Sequence, residues 1–90
     1  MEIIVRPGKV SDLPEVVNMI RELAIFEKSI DQVEITVDIL KKDGFGSSPS
    51  FWILIAELNG QIAGLAFYFI RYSTWKGKIL YLEDLVVKER

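Results

Sequence analysis

Glu83 and Asp84 stand side by side inside Tyr81-Leu82-Glu83-Asp84-Leu85-Val86-Val87, a run otherwise built from residues that favour strands. A buried strand carries carboxylates only for a reason, because a charge taken out of water must be paired or put to use. Paired acids are candidates for proton transfer and for holding a cation. Successive strand residues point to opposite faces, so the alternation predicts that the two acids serve different sides of a sheet. One would line a cleft while the other meets a loop or a helix end. An edge strand with two solvated charges is the competing reading.

Few other chemistries are open to the chain. Its 90 residues contain no cysteine and no histidine. That rules out a disulfide framework, a thiolate nucleophile, a Cys/His zinc site and a His-based triad within these residues. The segment Phe45-Gly46-Ser47-Ser48-Pro49-Ser50 is a glycine-containing loop, but it has neither a phosphate-cradle lysine nor dinucleotide spacing. The net charge of −2, with unclustered basic residues, gives no nucleic-acid surface. No apolar run is long enough to span a membrane, and the start of the chain, with Glu2 and Pro7, does not read as a signal peptide. Half the residues are hydrophobic and 27% charged, which is the balance of a folded domain. The expectation is one small cytoplasmic domain without metal.

The elements that must position the acids follow from periodicity. Glu2–Arg6 is a predicted strand stopped by Pro7-Gly8. Ser11 or Asp12 is a predicted N-cap, with Glu15 spaced to close a capping box on Asp12. Leu13, Val16, Val17, Ile20, Leu23 and Ala24 recur at helical spacing and predict one buried face. Phe26-Glu27-Lys28 falls where this helix should fray into solvent. Thr36 is a predicted N-cap for a second helix through Lys42, with Gly44 in the left-handed position that ends it. Phe51–Leu58 and Gln61–Tyr72 are predicted strands around an Asn59-Gly60 hairpin turn, and Gly64 marks a bulge or a close backbone approach. Ser73–Gly77 turns the chain into the strand Lys78–Val87. Trp75 in that turn is either a packing cap or a pocket wall. The order is β-α-α-β-β-β, an α/β domain with a mostly antiparallel sheet. Its last strand asks for more cover than one amphipathic helix supplies.

Five segments resemble a known family: Ile4-Val5-Arg6-Pro7, Arg21-Glu22-Leu23-Ala24 with Phe26-Glu27-Lys28, Asp43-Gly44-Phe45-Gly46, Tyr72-Ser73-Thr74-Trp75-Lys76-Gly77, and Tyr81-Leu82-Glu83-Asp84-Leu85. Together they resemble the N-terminal half of a GNAT-fold N-acetyltransferase, of the diamine (spermidine/spermine) or thialysine N-epsilon type. The wording at Phe26 and at Ser73–Gly77 is closer to the thialysine branch. The chain departs from the family pattern in ending at Arg90, before the Arg/Gln-x-x-Gly-x-Gly/Ala loop that grips the pyrophosphate of acetyl-CoA.

The resemblance implies acetyl-CoA as co-substrate and a small di- or polyamine, or a lysine-like amine, as acceptor. It implies Glu83 as the catalytic carboxylate, with Phe26, Glu27, Glu83 and Trp75 around the amine. It implies that the main chain of Leu85, Val86 and Val87 holds the pantetheine arm. Asp84 either adds to the negative field or holds a loop. The expected partners are the amine and a second copy of the chain joined through the terminal strand. The alternative is a non-catalytic dimerisation or amine-binding module on the same fold.

Overall fold

The computed structural model describes residues 2–88. The four strands β1 (Ile3–Pro7), β2 (Trp52–Leu58), β3 (Gln61–Ser73) and β4 (Gly77–Val87) form one sheet in the order β1-β2-β3-β4. Every neighbouring pair is antiparallel. Helices α1 (Leu13–Phe26) and α2 (Val37–Phe45) lie between β1 and β2 in the chain, so the predicted β-α-α-β-β-β order holds. Neither helix is long and apolar enough to cross a membrane.

Both helices cover the same side of the sheet. Leu13, Val16 and Met19 of α1 and Leu40 of α2 meet Phe51, Ile53, Ile55 and Leu65 in one core. Met19, fully buried, completes the face that the helical spacing predicts. Phe51 stacks on Phe67 with ring centroids 4.3 Å apart.

The start of α1 differs from expectation. A 3-10 turn, Val10–Asp12, precedes the helix, and Asp12 makes no side-chain cap to it. Its carboxylate instead accepts from Arg6 Nη1 at 2.8 Å, Arg6 Nη2 at 2.9 Å and the Lys9 N–H at 2.7 Å. Arg6 Nε also donates to Glu57 at 2.5 Å, so one guanidinium ties β1, β2 and the entry to α1 together. Glu15 does not close a capping box, because its carboxylate pairs with Lys88 beyond β4.

The end of α1 is not frayed. The Ser29 N–H donates to the Ala24 carbonyl at 2.8 Å and the Lys28 N–H to the Ile25 carbonyl at 3.0 Å. This is the paired closure of a Schellman motif, with Lys28 at φ 60° in the position usually given to glycine. Glu27 is thereby fixed as the C-cap, with Phe26 as the last helical residue.

Thr36 caps α2 as predicted, its hydroxyl accepting from the Ile39 N–H at 3.2 Å. Gly44, however, lies inside α2 and not at a left-handed end, and the C-cap is Gly46 with extended backbone. The reason for glycine at 44 is packing, since an added Cβ would sit 2.3 Å from the Phe51 ring. Asn59 and Gly60 both have positive φ, as the two-residue hairpin requires. Gly64 meets both predictions: the β2–β3 register slips beside it, and a Cβ there would lie 3.0 Å from the Val86 carbonyl. In the β3–β4 turn the Ser73 hydroxyl accepts from the N–H groups of Trp75 and Lys76 at 3.1 Å each. Trp75 is not a packing cap, being 93% exposed at the tip of this turn.

Candidate functional site

Strand β4 does not keep a regular alternation through its acids. Phe67 pairs with Asp84 and Tyr68 with Leu82, so Glu83 is one residue too many for the ladder and forms a β-bulge. On one side of the bulge Leu82 faces away from the helices, opposite Tyr68. On the other Asp84 faces toward them, opposite the core-packed Phe67. The bulge therefore removes the constraint that would send neighbouring acids to opposite faces. Glu83 is exposed and Asp84 half-buried.

Helix α1 lies antiparallel to the last residues of β4. Lys88 reaches Glu15 in the first turn of α1, and at the other end the charge of Glu27 acts on Asp84. Burial first, then the charges of Glu83 and Glu27, push the Asp84 carboxyl above its ordinary value. No hydrogen bond among the described residues ties Asp84 to a loop. The helix terminus adds its own negative end to the same corner. A cation arriving there would relieve the repulsion that Glu83 and Glu27 exert on Asp84.

An open groove of about 610 Å³ runs beside this corner, lined by Glu22, Leu23, Ile25 and Phe26 of α1 and by Val86, Val87 and Lys88. Phe26, 84% exposed, forms its rim. The main chain of β4 presents polar groups along the same margin. The Lys88 N–H donates to the Ala63 carbonyl at 2.8 Å, which makes that pair, and by alternation Leu65–Val86, the hydrogen-bonded ones. The N–H and C=O groups of Leu85 and Val87 then point to the open edge of the sheet, while those of Val86 are committed to β3.

The structure thus brings Phe26 together with Val86 and Val87, and Glu27 together with Asp84 and the bulged Glu83. It does not bring Trp75 to them. About six strand residues separate the turn from Glu83, roughly 20 Å at the rise of a strand. Glu22, Ile25 and Lys88 line the groove without having been singled out from the sequence. For Glu22 and Ile25 the signal available was the helical spacing back from Phe26, which places them on one flank of α1.

A four-stranded antiparallel sheet with two helices on one face is shared with GNAT acetyltransferases of known structure. Solved acetyltransferases superpose accordingly. A possible acetyltransferase from Clostridium difficile matches with TM-score 0.67 at 16% identity, over 99% of this chain and 59% of that one. An aminoglycoside acetyltransferase from an uncultured soil metagenomic sample, solved with sisomicin, matches with TM-score 0.66 at 19% identity, over 94% and 55%. In sequence, human spermidine/spermine N(1)-acetyltransferase-like protein 1 is 41% identical over 92 residues, which is 94% of this chain and 13% of that protein. Bovine thialysine N-epsilon-acetyltransferase is 39% identical over 94 residues, 96% of this chain and 55% of the enzyme. No protein-family model matches. In sequence the chain is similar to the spermidine/spermine and thialysine N-acetyltransferases, and in fold to the GNAT acetyltransferases. It spans about half the length of the thialysine enzymes it matches.

Proposed function

We propose that these residues form the amine-accepting part of an acetyl-CoA-dependent N-acetyltransferase whose acceptor is a di- or polyamine or a lysine-like amine. The observation that carries the reading is the acidic corner where the β4 bulge meets the end of α1. It gathers Glu83, Asp84 and Glu27 beside an apolar groove.

An alkylamine has a pKa near 10.4, so about one molecule in a few thousand is neutral at pH 7. The corner holds the ammonium by charge. Glu83, which the bulge frees from the ladder, is the carboxylate that accepts the proton, directly or through a water. Glu27 binds the far end of the acceptor, and the exposed ring of Phe26 lies along its alkyl chain or faces its charge. Acetyl-CoA, when bound, supplies a thioester acyl group for the neutral nitrogen to attack. The open main chain of Leu85 and Val87 suits its pantetheine arm, whereas none of the 90 residues forms an Arg-x-x-Gly-x-Gly loop for its pyrophosphate. These residues alone therefore hold acetyl-CoA weakly. Trp75 contributes to an amine site only if a second copy carries it there.

The test is the titration of the Asp84 side-chain carboxyl, followed by NMR with and without spermidine or thialysine at low salt. A bound dication removes the charge repulsion, so the Asp84 pKa falls, and amide shifts gather at residues 26–28 and 83–88. In an active enzyme containing these residues, Glu83→Gln lowers kcat/KM roughly a hundredfold and is partly rescued at high pH. An Asp84 titration indifferent to the amine, with shifts spread over all acidic surfaces, would sink the reading.

A further inference from the structure

Strand β3 keeps strict alternation where β4 is bulged, so its side chains index the face that the helices cover. Leu65 belongs to the core, and Phe67 and Phe69 pack against it. Arg71 is the next residue on that face. The register places Asp84, Tyr81 and Ile79 of β4 opposite Phe67, Phe69 and Arg71 in turn. The face that carries Asp84 at the acidic corner therefore continues into an aromatic pair and then into a cation.

The aromatic pair and the cation are joined. The Tyr81 ring centroid lies 5.2 Å from that of Phe69, and the Arg71 guanidinium carbon stands 5.4 Å from the Tyr81 centroid. Arg71 is opposite Ile79 and not Tyr81, so to reach that ring its side chain leans back along the strand toward the corner. An arginine stacked on a ring is already oriented, and its planar edge still offers paired N–H donors to a carboxylate. No carboxylate among the described residues takes them, the ion pairs there being Arg6–Asp12, Arg6–Glu57 and Lys88–Glu15. Arg71 is exposed and Tyr81 is 41% exposed, so a solute can reach both.

The spacing sets what this row can hold. Phe67 and Phe69 are alternate residues of β3, so the Tyr81 row lies about 7 Å from the Asp84 row at the rise of a strand. A lysine-like acceptor measures about 7–8 Å from its side-chain nitrogen to its carboxylate carbon when extended, by standard bond lengths. With its ammonium at the acidic corner, its carboxylate falls at the guanidinium over Tyr81. Glu27, assigned above to the far end of the acceptor, then meets the α-ammonium beside that carboxylate. A di- or polyamine laid along the same row brings a second ammonium to Arg71, where like charge opposes it.

We propose that Arg71, held over Tyr81, binds a carboxylate of the acceptor, so that the site takes an amino acid with a distal amine in preference to a polyamine. This rests on the amine-site reading and narrows its substrate class.

The test compares thialysine with its carboxamide, which lacks only the carboxylate charge, in NMR titrations of the 90-residue chain and of Arg71→Gln at low salt. In the parent chain thialysine should shift the amides of Phe69, Arg71 and Tyr81 together with those of residues 83–88. The carboxamide should shift residues 83–88 alone. Arg71→Gln should lower the ratio of thialysine to carboxamide affinity about tenfold, the worth of one hydrogen-bonded contact between charged groups. Arg71→Lys, which keeps the charge without the fork or the stack, should recover only part of that ratio. Spermidine should bind Arg71→Gln at least as tightly as the parent. A ratio unchanged in Arg71→Gln, with the Asp84 titration still responding to both ligands, overturns the carboxylate subsite and leaves the amine site standing. An Asp84 titration that responds to neither ligand overturns both.

Discussion

Asp12→Ala tests whether the Arg6 clamp is what seats α1 against the sheet. The Asp12 carboxylate is 6% exposed and accepts three hydrogen bonds, two from Arg6 and one from the Lys9 N–H. Removing one partner of a fully buried ion pair costs about 3–5 kcal/mol. Here the Arg6 side chain keeps Glu57 and about a fifth of its surface in water. The expected loss is therefore smaller, about 2–3 kcal/mol. Ninety residues at about 0.05–0.15 kcal/mol each give roughly 5–13 kcal/mol in all, so the change is a large share of the total. With a urea m-value near 1 kcal/mol/M for so small a domain, the midpoint should fall by about 2–3 M at fixed protein concentration. Asp12→Asn, which keeps one acceptor oxygen, should fall about half as far.

The pH dependence gives a second reading of the same clamp. Hydrogen bonds from Arg6 first, and from the Lys9 N–H, hold the Asp12 carboxyl below its ordinary value of 3.8 against the opposing effect of burial. A depressed carboxylate contributes stability that is fully present above its unfolded-state value and is lost as pH falls through its folded-state value. The gap between the parent chain and Asp12→Asn should thus be constant near neutrality and close below about pH 3.8. A midpoint lowered by less than about 0.5 M in Asp12→Ala, or a gap that persists at low pH, would mean that Arg6 is held by Glu57 and solvent alone.

Two further outcomes follow from backbone and packing. Lys28→Gly should stabilise the chain by about 0.5–1 kcal/mol in the same urea assay: a left-handed non-glycine residue costs about 1–2 kcal/mol, and the added freedom of the unfolded glycine offsets part of the gain. A destabilised Lys28→Gly would show that the lysine side chain itself holds the helix end. Gly44→Ala should cost about 2–3 kcal/mol by driving a methyl into the Phe51 ring, and Phe51→Leu in the same chain should recover part of that loss. Equal loss in the single and double variants would place the cause elsewhere than the ring.

Much of the fold was legible because it rests on local rules. The helical spacing of Leu13, Val16, Val17 and Ile20 marked α1, Thr36 marked the start of α2, and Asn59-Gly60 fixed the β2–β3 hairpin. The failures share a cause. Asp12 and Glu15 have the spacing of a capping box, but each carboxylate found a cation remote in sequence or on another element, Arg6 and Lys88. A cation gives the carboxylate full opposite charge, and Arg6 a bidentate pair, where a cap offers one backbone N–H, so the tertiary partner won. Gly44 resembled a helix end because glycine usually is one there. Its actual constraint is Phe51, which lies outside the helix and is invisible to local patterning.

The site itself turns on a feature that residue types do not announce. Glu83 and Asp84 stand out as charges in an apolar strand, yet strict alternation would have separated them. Only the pairing of β4 with β3 shows that Glu83 has no partner in the ladder. A bulge is a statement about two strands, and one strand's sequence does not contain it. Its consequences run in both directions from that residue. Toward the helices it sets Asp84 against the end of α1, where burial and two neighbouring acids already disfavour its charge. Along the edge it leaves the main chain of Leu85 and Val87 open beside the groove. The irregularity thus joins the acidic corner to the open main chain, with the start of α1 held by Arg6 through Asp12 and by Lys88 through Glu15.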